Sequence, residues 1–488
     1  MGDEVATYLG AKGYTILKEC LAVEEQEAIR RDLTVKPFVP KSSMAKPSPF
    51  PVYRESRKKF YIPRFYGCET YGRPDASRIG DGEAIDLEFQ GKLKPIQRPI
   101  VKKYLEWVAH EGAGLLELYC GMGKTVMALW IIAALGRKTL VVVHKEFLLR
   151  QWEERIAQFL PNARVGRIQG PRVETEDKDI VIGMLQSLSM KDYGIETFQQ
   201  FGLTIIDEVH HIAAEVFSRA LFRIVTRYML GLSATMKRKD GLTHVFKMFL
   251  GDVVCKKERK GNHAVVVKAI NFLSDEPEFS KVEYNWRGQT HYAIMIKKLC
   301  EFNRRSEFVL RVLCDVLQQG ASQQVIILGH NKSLLKYLHD AIKHRSIASV
   351  GFYVGGMKEK DLKISETKQV IIATYAMASE GLDIKTLTTL IMATPKSDVE
   401  QSVGRILRGH NSKPLVVDIV DKHGIFQRQW IKRRRWYKKQ KFRVLLTDSA
   451  RYGKNEWEEV KGRGKMPSHT NVSGAEGILR GMCLLKAD

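Results

Sequence analysis

The 488-residue chain predicts an α/β fold: two lobes in tandem, each a parallel sheet covered by helices, with a cleft between them. Three observations carry this expectation. Short β-branched runs alternate with amphipathic helical stretches, the grammar of parallel α/β units. That grammar occurs twice, from Leu115 to Ser233 and from Gln324 to Val420, around a weaker, charged stretch. The residues able to do chemistry fall at the ends of these runs, where open parallel sheets place their ligands.

Taken in order, residues 1–84 read as a small accessory domain. Pro37, Pro40, Pro47, Pro49, Pro51 and Pro63 forbid long helices there. From Tyr53 to Tyr66 aromatic and basic residues interleave, which suits either a base-stacking, phosphate-holding surface or a packing platform for the first lobe. Residues 85–250 form the first lobe, with strands expected at Leu115–Tyr119, Thr139–His144, Ile180–Met184, Leu203–Asp207 and Tyr228–Ser233. Residues 251–302 read as a connector ending in a helix. Residues 303–445 form the second lobe, with strands at Gln324–Gly329, Ser349–Val354, Gln369–Thr374, Thr388–Ala393 and Leu415–Val420. Its last part, Lys422 to Arg443, holds ten Lys and Arg and no acidic residue, with Trp430, Trp436 and Tyr437 interleaved. That stretch reads as a grip on nucleic acid or as a helix covering the lobe, with the balance towards the grip. Residues 446–488 read as a poorly ordered tail.

Composition narrows the class. Lys and Arg number 79 against 55 Asp and Glu, a net charge of +24, and such an excess points to a polyanionic partner, nucleic acid first. The seven cysteines are scattered without a Cys-x-x-Cys pair, which argues against a zinc ribbon or a disulfide framework and for reduced thiols. The start, Met1-Gly2-Asp3-Glu4, lacks the basic and apolar segments of a secretory signal, and runs such as Leu129 to Leu135 are too short to span a bilayer.

The chemistry begins at Leu118-Tyr-Cys-Gly-Met-Gly-Lys-Thr125, directly after an apolar run. A strand entering a Gly-x-Gly-Lys-Thr turn cradles phosphates: Gly121, Met122 and Gly123 present backbone N–H groups, Lys124 reaches the β and γ phosphates, and the Thr125 hydroxyl suits Mg²⁺. Leu118 stands where the usual pattern has its first glycine. Asp207-Glu208-Val209-His210 closes another apolar strand and supplies a carboxylate for Mg²⁺ (Asp207) and a candidate base for an attacking water (Glu208). Gln401-Ser-Val-Gly-Arg-Ile-Leu-Arg408 places Arg405 and Arg408 on one helix face, from which they could reach phosphates held by the other lobe.

Gly-Lys-Thr, Asp-Glu-Val-His, Ser233-Ala234-Thr235 and Gln-x-x-Gly-Arg-x-x-Arg stand in the order and spacing that resemble a superfamily 2 helicase. Further blocks resemble the same superfamily: Pro95-Ile96-Gln97, Val141 to Trp152, Gln186-Ser187-Leu188, Gly355-Gly356 and Ala378-Ser379-Glu380-Gly381-Leu382-Asp383. The resemblance covers about residues 85 to 425. Leu-x-Cys-Gly-x-Gly-Lys-Thr and Ser-Ala-Thr-x-x-Arg-Lys-Asp-Gly-Leu are similar to the branch that holds the XPB helicase and viral relatives. Tyr119 departs from that branch's frequent proline. The N-terminal block Pro51 to Gly67 resembles the poxvirus transcript-release helicases.

The resemblance implies two RecA-like lobes and an enzyme that hydrolyses ATP with Mg²⁺. It implies an ATP site made of Gln97, which would read adenine, with Gly121, Gly123, Lys124, Thr125, Asp207, Glu208, Asp383, Arg405 and Arg408. It implies that His210, Ser233, Thr235 and Gln401 report the phosphate state between lobes. Contacts to nucleic acid are expected from His144, Lys145, Gln169, Gly170, Gln186 and Ser187 in the first lobe, and from His330, Gly355, Gly356, Thr374 and Ser379 in the second. The implied activity is a DNA-dependent ATPase and 3′–5′ helicase that releases nascent transcripts. DNA, nascent RNA, RNA polymerase and viral transcription factors would be its partners, without a membrane, in the virion and host cytoplasm. A duplex-opening helicase of repair or replication is the alternative. Intact Lys124, Glu208 and Arg405 argue against a non-hydrolysing binding module.

Overall fold

The computed structural model describes residues 6–38, 48–211, 214–236, 238, 240–258, 265–320, 323–380, 382, 384, 386–406 and 414–460. Of His211, Ser379, Glu380, Arg405 and Ile406 only the backbone is described.

Long apolar runs become central strands because both faces of each sheet are covered. In the first eight-stranded sheet the order is Arg172–Val173, Val165–Gln169, Ile180–Met184, Thr139–Val143, Leu203–Ile206, Tyr228–Ser233, Ala113–Leu118 and Val253–Lys257. All pairings are parallel except the hairpin between Val165–Gln169 and Arg172–Val173. Thr139–Val143 and Leu203–Ile206 are buried at every residue. The second eight-stranded sheet runs Val350–Tyr353, Val370–Thr374, Gln324–Gly329, Leu387–Met392, Leu415–Asp421, Val266–Phe272, Arg443–Asp448 and Glu458–Glu459, parallel except for its last short strand. Each sheet separates two apolar clusters, so the molecule has two α/β lobes in tandem, as the sequence predicts.

The N-terminal residues form a five-stranded sheet around Tyr14, Ile16, Ile29, Leu33, Phe60 and Ile62. It is locked to the first lobe by arginines. Arg64 donates to the carbonyls of Glu111 (2.7 Å) and Arg227 (3.3 Å), and Arg54 donates to that of Arg219 (3.1 Å) with its guanidinium over Phe222. Phe60 and Ile62 are buried in the N-terminal core, and Arg54 and Arg64 give the stretch Tyr53 to Tyr66 the packing contacts to the first lobe that one of its two readings expects.

Two expectations are corrected and one open reading is narrowed. The stretch 251–302 is not only a connector: Val253–Lys257 forms the edge of the first sheet, and Val266–Phe272 inserts between Leu415–Asp421 and Arg443–Asp448 in the second. Lys256 and Lys257 belong to the edge strand, where charge is tolerated and discourages further pairing. The boundary at 445/446 cuts through the strand Arg443–Asp448, so the second lobe continues to Glu459. Finally, the basic stretch is a helix, Gly424–Lys439, whose Phe426, Trp430, Arg433 and Tyr437 are buried, so its aromatic residues serve packing. Among the described residues no helix is long and apolar enough to cross a membrane.

Candidate active site

The phosphate loop is shaped by two glycines in the left-handed region and by one glutamine. The buried strand Ala113–Leu118 leads into Gly121 (φ 87°) and Gly123 (φ 84°), and the helix Lys124–Leu135 follows at once. Gln97, buried beneath the loop, accepts from the Lys94 N–H at 2.8 Å and donates to the Met122 carbonyl at 2.8 Å. A Cβ on Gly123 would stand 2.4 Å from the Gln97 Nε2, so both backbone and space require glycine there. The carboxamide expected to read adenine is thus bonded to the loop backbone. Leu118 is buried and its carbonyl receives Lys124 Nζ at 3.5 Å, while the Tyr119 N–H donates to the Lys257 carbonyl of the edge strand.

The strand Leu203–Ile206 delivers the acidic pair opposite this loop. Asp207 is buried, and its carboxylate accepts from the Trp152 indole N–H (2.9 Å) and from the Glu208 N–H (2.9 Å). Burial, reinforced by the Glu208 charge, raises the Asp207 carboxyl above the ordinary carboxylate range, against the pull of Trp152 and Lys124. Glu208 takes φ +48°, a conformation that a residue with a side chain adopts at a cost of about 1–3 kcal/mol. That turn aims its carboxylate in two directions. Oε1 lies 3.4 Å from Lys124 Nζ, and Oε2 lies 3.4 Å from His210 Nδ1.

His210 carries the constellation onward. Its Nδ1 is 2.7 Å from Ser233 Oγ, which donates to the Thr235 carbonyl at 2.5 Å and accepts from the Thr235 N–H at 3.3 Å. Its Nε2 is 3.1 Å from the carboxamide nitrogen of Gln401, on the second lobe's helix Glu400–Ile406. This helix sits close to the phosphate loop: a Cβ on Gly404 would be 3.4 Å from Cys120 Cβ. The Arg405 backbone follows in the same helix, whereas Asp383 and Arg408 lie outside the described residues. Two further bridges span the lobes, Arg150 to Glu359 at 2.9 Å and Lys363 to Glu154 at 3.2 Å.

The residues expected to touch nucleic acid gather at strand ends in each lobe. In the first, Gln186 donates to the His144 carbonyl (3.1 Å), Gln169 donates to Glu146 (2.6 Å), and the Gly170 N–H donates to Ser187 Oγ (2.9 Å). Lys145 precedes the helix Glu146–Phe159 as its N-cap. In the second, the His330 N–H donates to Thr394 Oγ1 (3.1 Å), and its ring lies 4.8 Å from that of Tyr375. Thr374 ends its strand and accepts from the Met377 N–H. Gly355 and Gly356 are exposed, with open space around both and φ 92° at Gly356. Ser379 contributes only a described backbone.

Several participants escape sequence reasoning. Trp152 fixes Asp207, Tyr193 donates to the Gly170 carbonyl (2.8 Å), and Arg238 reaches the His210 carbonyl at 3.5 Å. Each acts through a tertiary contact that local sequence does not announce. Donors for a hard divalent cation are present in Thr125, at the start of its helix, and in the Asp207 carboxylate, a hydroxyl and carboxylate set that suits Mg²⁺.

Known proteins resemble this chain. Residues 90–238 match the family described as "Type III restriction enzyme, res subunit". The chain is 35% identical over 477 residues to the "Putative ATP-dependent RNA helicase" of Acanthamoeba polyphaga mimivirus, covering 94% of this chain and 91% of that protein. A protein of the same description from African swine fever virus, strain Badajoz 1971 Vero-adapted, is 25% identical over 393 residues, 75% of this chain and 76% of its own. Among solved structures, the Pyrococcus furiosus Hef helicase domain aligns with 69% of this chain and 99% of its own at 13% identity and a TM-score of 0.45. The chain therefore belongs to the superfamily 2 helicases, among the viral ATP-dependent helicases, and is an ATP-hydrolysing helicase.

Proposed function

We propose that this helicase is a DNA-dependent 3′–5′ translocase whose ATP cycle releases nascent transcripts from a stalled polymerase. One observation carries the motor part: the unbroken line from Lys124 through Glu208 and His210 to Gln401, which links the phosphate loop of one lobe to the other.

In this reading the loop Gly121–Met122–Gly123 and Lys124 hold the phosphates, and Glu208 orients and deprotonates the attacking water. Thr125 and Asp207 would hold Mg²⁺, which neutralises charge on the transferred phosphoryl group. A γ-phosphate competes with Glu208 for Lys124, which frees the Glu208 carboxylate for water. Arg405 and Arg408 supply charge from the second lobe, with Asp383 beside the nucleotide. His210, Ser233, Thr235 and Gln401 sense the result. His144, Lys145, Gln169, Gly170, Gln186 and Ser187, with His330, Gly355, Gly356, Thr374 and Ser379, grip the backbone, and sequence-independent grip suits a motor.

The transcript-release role rests on the N-terminal and loop motifs that resemble the poxvirus helicases and the XPB-like branch. It brings RNA polymerase and viral transcription factors as partners, and the virion and host cytoplasm as locations. The word RNA in the names of the viral relatives favours a second reading, an RNA track. Transcript release from a stalled elongation complex, with ATP and with a non-hydrolysable analogue, tests the role. ATPase stimulation by DNA and RNA strands of one sequence tests the track.

A further inference from the structure

The helix Gly424–Lys439 has two opposite stripes. Phe426, Trp430, Arg433 and Tyr437 face inward and are buried, and Arg433 is closed on Asp418 at 2.7 Å. Two residues further on is more than half a turn around the helix, and there stand Arg428, Lys432, Arg435 and Lys439, all exposed. Lys439 pairs with Glu258 at 3.2 Å. Arg428, Lys432 and Arg435 form no ion pair with any described residue. They are spaced about 6 Å and then about 4.5 Å along the axis, on a helix that contains no acidic residue.

On the flank of this helix that carries Gln429, between the two stripes, stands a tight hairpin. Tyr284 bridges Thr290, the Asn285 N–H donates to the Gln289 carbonyl (2.8 Å), and Asn285 Oδ1 accepts from the N–H groups of Arg287 and Gln289 at 3.0 Å each. This fixed turn presents Trp286 with 76% of its surface exposed and the Arg287 guanidinium 4.2 Å from its ring. The hairpin is rooted on the basic helix through Tyr292, whose hydroxyl accepts from Gln429 at 3.3 Å and whose ring lies 6.1 Å from that of Phe426.

We infer that the Arg428–Lys432–Arg435 stripe and the Trp286 hairpin form a second nucleic-acid surface, apart from the strand-end residues, that takes a single strand. The cations follow the phosphodiester backbone, and the exposed indole stacks on an unpaired base. This rests on the nucleic-acid-driven reading above. It departs from the aromatic–basic mixture legible in the sequence, because Trp430 and Tyr437 are buried and the exposed ring comes from a remote hairpin.

The test measures anisotropy of a labelled oligodeoxythymidine with the full chain over a series of salt concentrations. In the triple variant Arg428→Gln, Lys432→Gln, Arg435→Gln, the log–log salt slope falls by about 2, near 0.7 for each lost contact. The oligonucleotide concentration for half-stimulation of ATPase rises, while basal ATPase, the check on folding, is unchanged. Trp286→Ala weakens binding roughly tenfold at every salt and leaves the slope alone. A wild-type slope retained in the triple variant overturns the proposal, as it would if the stripe served an acidic protein. Wild-type binding in Trp286→Ala overturns the stacking. If wild type itself neither binds nor is stimulated, the nucleic-acid-driven reading falls as well, an outcome distinct from the other two.

Discussion

His210 and Gln401 meet across the cleft, ring Nε2 to carboxamide Nε2 at 3.1 Å. A carboxamide nitrogen only donates, so the ring nitrogen accepts and the ring proton sits on Nδ1, facing Ser233 Oγ at 2.7 Å. One histidine thus holds a tautomer set by the second lobe on one side and by Ser233 on the other. On the proposed reading, a change at the phosphate loop that moves Glu208 would be felt at Nδ1 and passed to Gln401.

Glu208→Gln keeps size and most hydrogen bonding but removes the base. Nucleic-acid-stimulated hydrolysis should fall by roughly two to four decades while nucleotide binding persists. Lys124→Ala should impair binding and turnover together. Steady-state ATPase alongside fluorescent-nucleotide titration separates the two variants, and near-normal turnover in Glu208→Gln would remove the residue from its role.

Asp207 makes stability depend on pH with a definite sign. Its folded-state pKa is raised by burial and by Glu208, so its contribution is fully present in acid and is lost as pH rises above the ordinary carboxylate range. Asp207→Asn cannot ionise. Relative to wild type, the variant should therefore gain stability as pH rises from about 4 towards neutrality, by a few degrees in thermal midpoint. Thermal unfolding without nucleotide over that range checks it, and parallel curves would show that Asp207 does not titrate as described.

On the helix Gly424–Lys439 the inner and outer faces should behave oppositely. Trp430→Ala should cost about 3–5 kcal/mol, and Arg433→Ala a similar amount, because it strands the buried Asp418 carboxylate. Neutralising Arg428, Lys432 or Arg435 should change stability by no more than about 0.5 kcal/mol each. Denaturant unfolding of the five variants decides whether the faces are assigned correctly.

The sequence is most legible where burial is two-sided. Ile180–Met184, Tyr228–Ser233 and Gln324–Gly329 coincide with their expected bounds, because a strand covered on both faces reads as an uninterrupted apolar run. Val165–Gln169 was not expected, since glycine and arginine interrupt a strand only half buried. Val253–Lys257 and Arg443–Asp448 carry lysine or arginine, and Val266–Phe272 finds both its partners more than a hundred residues away. At the candidate site, the residues that the structure brings together, Lys124, Asp207, Glu208 and Gln401, were readable from their spacing. Their wiring was not, because the Trp152–Asp207 bond, the Glu208 backbone turn and the Arg150–Glu359 bridge exist only once distant elements pack.

A double-mutant cycle on His210→Ala and Gln401→Ala, read as nucleic-acid-stimulated ATPase, tests most directly the claim that the phosphate site speaks to the second lobe through this contact. Each single variant should lower stimulated turnover, by about two- to tenfold for Gln401→Ala as suits one lost hydrogen bond, with basal turnover little changed in that variant. The double variant should be no worse than His210→Ala alone, giving a coupling close to the whole effect of Gln401→Ala. Strictly additive losses would contradict the account, because the two residues would then be acting through separate routes.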